Sequence, residues 1–120
     1  MATLTATLTL VSSDATSDPI NLVVPDVLTV GEPIQSISRA LVTFGAATNI
    51  LTTANTADTY VYVKNTDATN FVEGKDDAGN VLIQLNPGEF AFLPIQGAIG
   101  FEVQADTGNC IVEYGFWTKA

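Results

Sequence analysis

The sequence predicts an all-β fold: a single antiparallel domain of about eight to ten short strands, with the turn spacing of a sandwich or barrel. Three observations carry this expectation. Apolar residues recur at period two over much of the chain, turn residues interrupt them at intervals of roughly 8–12, and 47% of the 120 residues are apolar, enough to build one core. We expect one domain spanning residues 1–120, with residues 1–12 as a candidate amino-terminal arm strand.

Thr3, Thr5, Thr7 and Thr9 alternate with Leu4, Ala6, Leu8 and Leu10. That is a half-buried strand, with threonine on the wet face. The polar stretch Ser12 to Pro19 follows as a loop or hinge. Residues 1–12 could therefore be an ordinary first strand, the simpler reading, or an arm adding to a neighbouring subunit. Leu22–Val24 and Val27–Val30 read as two short strands split by Pro25-Asp26, with Gly31-Glu32-Pro33 closing the second. Residues 34–44 mix helical spacing with β-branched weight, and the surrounding sheet favours a strand. A short strand is expected around Ile50-Leu51-Thr52.

Tyr60-Val61-Tyr62-Val63 alternates aromatic and β-branched residues, Phe71-Val72-Glu73 is a short strand, and Val81–Leu85 another. Asn86-Pro87-Gly88-Glu89 carries the type II turn signature, proline second and glycine third. Phe90–Leu93 follows, with Pro94 ending or bending it. Ile99, Phe101, Val103 and Ala105 recur at period two, and Asp106-Thr107-Gly108-Asn109 turns the chain into Cys110, Val112, Tyr114 and Phe116.

Thirteen acids against four bases give a net charge of −9. Such a chain repels phosphate backbones and anionic lipid, so neither nucleic acid nor membrane is expected as a partner. The acidity suits solubility, or a protein that stays monodisperse at high local concentration. The lone Cys110 forms no internal disulfide and reads as a small buried hydrophobe. The amino terminus has no basic region leading into a long apolar run, so no signal peptide is expected.

Histidine is absent, removing the commonest general base and metal ligand. No imidazole is available to activate Cys110 or any serine, and neither a nucleophile elbow nor a phosphate loop occurs. Asp76, Asp77 and Asn80 lack the alternating oxygen-ligand spacing of a calcium loop, and Gly79-Asn80 explains a tight turn there. We therefore expect no catalytic, cofactor-binding or metal residues, and no enzyme.

The aromatic residues of the second half suit core positions and cross-strand pairs. Phe116 and Trp117 are adjacent, so a persisting strand turns one of them away from the face of Tyr114 and Phe116. With two-faced apolarity in Phe90–Leu93, this favours oligomerisation. The candidate interface residues are Leu4, Leu8, Leu10, Phe116 and Trp117.

The runs Tyr60–Asp67, Pro87–Pro94 and Gln104–Thr107 continuing through Val112–Gly115 resemble small all-β structural proteins of tailed bacteriophages. The resemblance is to marine or cyanobacterial phage proteins, and to capsid decoration (cement) proteins in particular. It covers most of residues 60–117 and carries over no ligand or catalytic residue. It implies a jelly-roll-like antiparallel β-sandwich, and a virion structural protein made in host cytoplasm and bound to the outer surface of the capsid. Its partners would be the major capsid protein and further copies of itself, as a dimer or trimer, and its role the stabilisation of contacts between capsomers. The alternative is a phage appendage, fibre-base or receptor-binding module.

Overall fold

A computed structural model describes residues 2–31 and 37–120. Ten strands run in chain order: β1 (Ala2–Ser12), β2 (Ile20–Val30), β3 (Ser38–Val42), β4 (Thr48–Leu51), β5 (Thr59–Asn65), β6 (Val72–Lys75), β7 (Val81–Leu85), β8 (Phe90–Ile95), β9 (Phe101–Ala105) and β10 (Cys110–Thr118). They form two four-stranded antiparallel sheets, β3-β10-β5-β8 and β4-β9-β6-β7, and a separate ribbon, β1-β2. The pairings β6–β7, β4–β9, β5–β8 and β3–β10 are nested, like one long antiparallel ribbon wrapped on itself. Pairing of β5 with β10 and of β6 with β9 completes the sheets.

Alternation decides which side chains meet between the sheets. Val42, Val61, Val63, Cys110 and Val112 point inward from β3-β10-β5-β8, with Ala91, Leu93, Tyr114 and Phe116 packed against them. Leu51, Val72, Leu85, Phe101, Val103 and Ala105 come from the other sheet. Phe101 is the largest fully buried side chain, and it faces Gly74, where an added Cβ would lie 2.9 Å from its Cζ.

Buried Asn65 ties the sheets together. Its amide donates to the carbonyls of Leu85 at 3.0 Å and Asn70 at 2.9 Å, and its Oδ1 accepts from Asp67 N at 3.0 Å. Three bonds offset the cost of removing this amide from water. The Asn86–Glu89 turn closes with Glu89 N donating to Asn86 O at 3.0 Å, and Gly88 takes φ +82°, as the type II signature requires. Asp76 folds the next turn up in sequence, its carboxylate accepting from the backbone and side-chain nitrogens of Asn80, both at 2.9 Å.

Several sequence expectations are corrected. Pro25 does not split two strands: β2 runs through it, with Pro25 opposite Thr7. Both strands of a two-stranded ribbon are edges, and alternate residues turn their N–H outward, so proline can sit there without breaking the ladder. Pro94 likewise lies within β8, an edge strand, opposite Tyr60. Among the described residues β1 pairs with β2 and joins neither sandwich sheet, so it is no ordinary first strand of the sandwich. Of the strand expected over residues 34–44, Ser38–Val42 is observed, and residues 34–36 lie outside the described residues, as do Glu32 and Pro33.

A candidate docking surface

The two sandwich sheets differ sharply on their outer faces. On β4-β9-β6-β7 the outward positions are mostly polar, Asn49, Glu73, Lys75, Gln84, Glu102 and Gln104, with Val81 and Leu82 exposed on the edge strand β7. On β3-β10-β5-β8 they are Arg39 and Leu41, then Ile111, Glu113, Gly115 and Trp117, then Tyr60, Tyr62 and Lys64, then Phe90, Phe92 and Pro94. Cross-strand registry lines these up as Trp117–Tyr60–Pro94, Gly115–Tyr62–Phe92 and Glu113–Lys64–Phe90. The result is an aromatic sheet face turned away from the core.

Local contacts order its centre. Tyr60 and Phe92 stack with centroids 5.9 Å apart, and the Lys119 ammonium lies 5.0 Å from the Tyr60 ring centre. That distance suits attraction between a cation and the negative ring face. Trp117 lies beside Gly115, where a Cβ would come within 3.1 Å of its Cη2. The Tyr62 hydroxyl donates to Glu113 Oε1 at 2.8 Å, and Arg39 approaches Glu113 Oε2 at 3.7 Å. Burial, then the bond to Glu113 and its charge, push the Tyr62 hydroxyl above its ordinary pKa.

Charge on this face runs against the chain as a whole. Arg39, Lys64 and Lys119, three of the four bases in the sequence, stand on it or at its margin. Glu113 is the one acid among the outward residues of its strands.

The β1-β2 ribbon rises from the same end of the sheet. Gly31 N donates to Thr118 O at 2.7 Å, Ala120 N to Thr29 O at 3.1 Å, and Val30 bridges to Lys119. One ribbon face carries Leu4, Ala6, Leu8 and Leu10 opposite Leu28, Asp26, Val24 and Leu22. Near the base this face looks onto Tyr60, Phe92 and Pro94 across a cleft of about 250 Å³. Leu4, Ala6 and Leu28 are half-buried there. Leu8 and Val24 line the outer rim of the same cleft and, like Leu10 and Leu22 beyond it, are each 41–49% exposed. The other face has threonines on β1 and exposed Val23 and Val27 on β2.

Of the residues singled out from sequence, Leu4, Leu8 and Leu10 share the apolar ribbon face, and Trp117 belongs to the aromatic sheet face. Phe116 points the other way and packs against the core, so it is no part of this surface. Sequence reasoning missed Leu22, Val24 and Leu28, although their even-numbered spacing was visible across Pro25. It also assigned Tyr60 and Phe92 to core or cross-strand roles, because alternation shows that two faces exist but not which is covered.

Among the described residues, no three side chains of the metal-ligating types gather at one point. Cys110 is buried, and burial together with the charge of Asp67 raises its thiol pKa. The surface offers area, aromatic faces and positive charge, which suit protein contacts. No family model, curated protein or solved structure matches the chain.

Proposed function

We propose that this chain is a non-enzymatic virion structural protein, a capsid decoration (cement) protein of a tailed bacteriophage. In this reading it is made in host cytoplasm and binds the outside of the head through the major capsid protein, stabilising contacts between capsomers. The nested strand pairing is read as a jelly roll, whose two sheets leave their outer faces free for assembly.

The observation that carries the reading is the pairing of an outward-facing, partly exposed aromatic sheet face with an overhanging apolar ribbon, on a body of net charge −9. Exposed apolar patches rimmed by polar groups mark interaction surfaces. The acidic remainder keeps free copies apart until they meet a lattice. Each contact would be modest, because apolar burial is offset by lost rigid-body freedom, and repetition around a shell makes the sum useful.

Quantitative mass spectrometry of purified particles, with the major capsid protein as internal standard, tests it. Copy numbers in simple ratio to the shell subunit are expected. A handful of copies per particle would indicate an appendage or receptor-binding module instead, and absence from particles would remove the virion reading.

A further inference from the structure

We propose that the occupant of the aromatic face is a second copy of this chain, in a reciprocal pair. Each copy lays the outer half of its β1-β2 ribbon across the exposed Leu41, Ile111 and Phe90 of its partner's β3-β10-β5-β8 sheet. The proposal rests on reading this face as an assembly surface, and not on the identity of any shell.

Charge is the first argument. Residues 2–30 contain Asp14, Asp18 and Asp26 and no base, so the ribbon is uniformly acidic. The sheet face holds Arg39, Lys64 and Lys119 against Glu113. Two chains of net charge −9 repel over most orientations, and the orientation that sets ribbon on sheet brings opposite charges together.

Apolar matching is the second. On the ribbon Leu10 and Leu22 stand open, with Leu8 and Val24 half-exposed at the rim of its own cleft, and on the sheet Leu41, Ile111 and Phe90 are exposed. A two-stranded ribbon alone is marginally stable in water, so its outer half gains most from cover. Area then selects the arrangement. Six residues per strand at ~3.4 Å rise and a ribbon ~10 Å wide give ~200 Å² per arm. A reciprocal pair joins two such contacts in one interface and buries ~800 Å² in total, within the weak, transient class. A head-to-tail ring would hold only one arm per interface, half as much, so the two-fold pair is favoured.

Free protein should therefore pair weakly, with a dissociation constant between micromolar and millimolar, and pair efficiently where copies are concentrated. Sedimentation of the full chain across a wide concentration range measures this. The decisive variants are Arg39→Glu with Lys64→Glu, and separately Asp14→Lys with Asp18→Lys. Arg39 and both aspartates are exposed, Lys64 is half-buried at the sheet surface, and the Arg39–Glu113 ion pair that the first variant breaks is a surface one, so circular dichroism should show both variants folded.

Each variant alone sets like charges against each other and should self-associate roughly tenfold more weakly than the parent. Mixing the two restores opposite charges at both contacts, and the mixture should pair at least as well as the parent. A parent that stays monomeric at every concentration would overturn the proposal and leave the face to another protein, the shell subunit included. So would variants that pair as the parent does, or a mixture that fails to recover.

Discussion

Tyr60 and Phe92 lie ring on ring, planes 10° from parallel, as diagonal neighbours across β5 and β8. Tyr60 stands directly opposite Pro94, and Phe92 opposite Tyr62. Phe92 thus supports Tyr60 and lines the cleft under the ribbon base, whereas Phe90, one outward position along, is largely exposed. Phe92→Ala should lower stability by about 1–2 kcal/mol, combining a lost aromatic pair with partial loss of apolar burial. Phe90→Ala should stay within about 0.5 kcal/mol of the parent. Urea unfolding of the two variants side by side checks the contrast, and equal effects would refute it.

Adjacent residues in the β8–β9 turn should respond with opposite signs. A Cβ at Gly97 would come 2.0 Å from the backbone oxygen of Thr56, and neither backbone can yield cheaply. Gly97→Ala should cost about 3 kcal/mol or more. Ala98 sits at φ +70°, in the left-handed region where a side chain costs about 1 kcal/mol. Ala98→Gly relieves that strain and should raise the melting temperature by a few degrees, as read by thermal denaturation.

The pH profile should have two separate limbs. Backbone N–H groups of Asn70 and Thr69 hold Asp67 below the usual carboxylate range, and Asn80, through its side chain and backbone, does the same for Asp76. A depressed pKa in the folded state gives stability present above the unfolded value of about 3.9 and lost as pH falls through the lower folded value. Asp67→Asn and Asp76→Asn should each flatten this acid limb. Tyr62 and Cys110 are shifted upward, so their contribution is present below the unfolded pKa and fades as pH rises through the folded one. Tyr62→Phe should reduce the alkaline limb and leave the acid limb unchanged. Chemical denaturation at a series of pH values separates the two.

Cys110 should behave as filler. Its thiol is buried within β10, with Asn70 O at 3.8 Å and Gly108 O at 3.6 Å. Alkylation by iodoacetamide should be slow in the native protein and rapid in denaturant, because the reactive thiolate is disfavoured by burial. Cys110→Ser should cost about 1–2 kcal/mol, because the shorter, more polar side chain loses apolar contact and leaves the Asn70 and Gly108 oxygens at long range for a hydroxyl. Native alkylation as fast as that of a free thiol would contradict this.

What could be read from the chain follows from which forces are local. Alternation in Tyr60–Val63 and Phe101–Ala105 is a nearest-neighbour property, and those strands stand where the pattern puts them. The separation of Phe116 from Trp117 was legible for the same reason. Edge status is not local: Pro25 and Pro94 look like breakers until the strands beside them are known. Nor does the Thr/Leu alternation of β1 distinguish a sandwich strand from a free ribbon, since both have one wet and one dry face. The clustering of Arg39, Lys64 and Lys119 depends wholly on β3 and β5 sharing a sheet through β10, a relation that no spacing in the sequence expresses.

The central place of β10 has a kinetic consequence. β3 finds its described strand partner only in β10, and β4 only in β9, so two of the earliest sandwich strands wait for residues synthesised much later. The loop-closure cost of these distant pairings falls before any reward, which places folding in the slow, millisecond-to-second regime of all-β proteins. While β10 is still inside the ribosome, a growing chain carries open strand edges of the kind that recruit wrong partners. Acidic residues spaced through the chain would keep such intermediates apart, so the same charge that limits pairing of the finished protein also protects its synthesis.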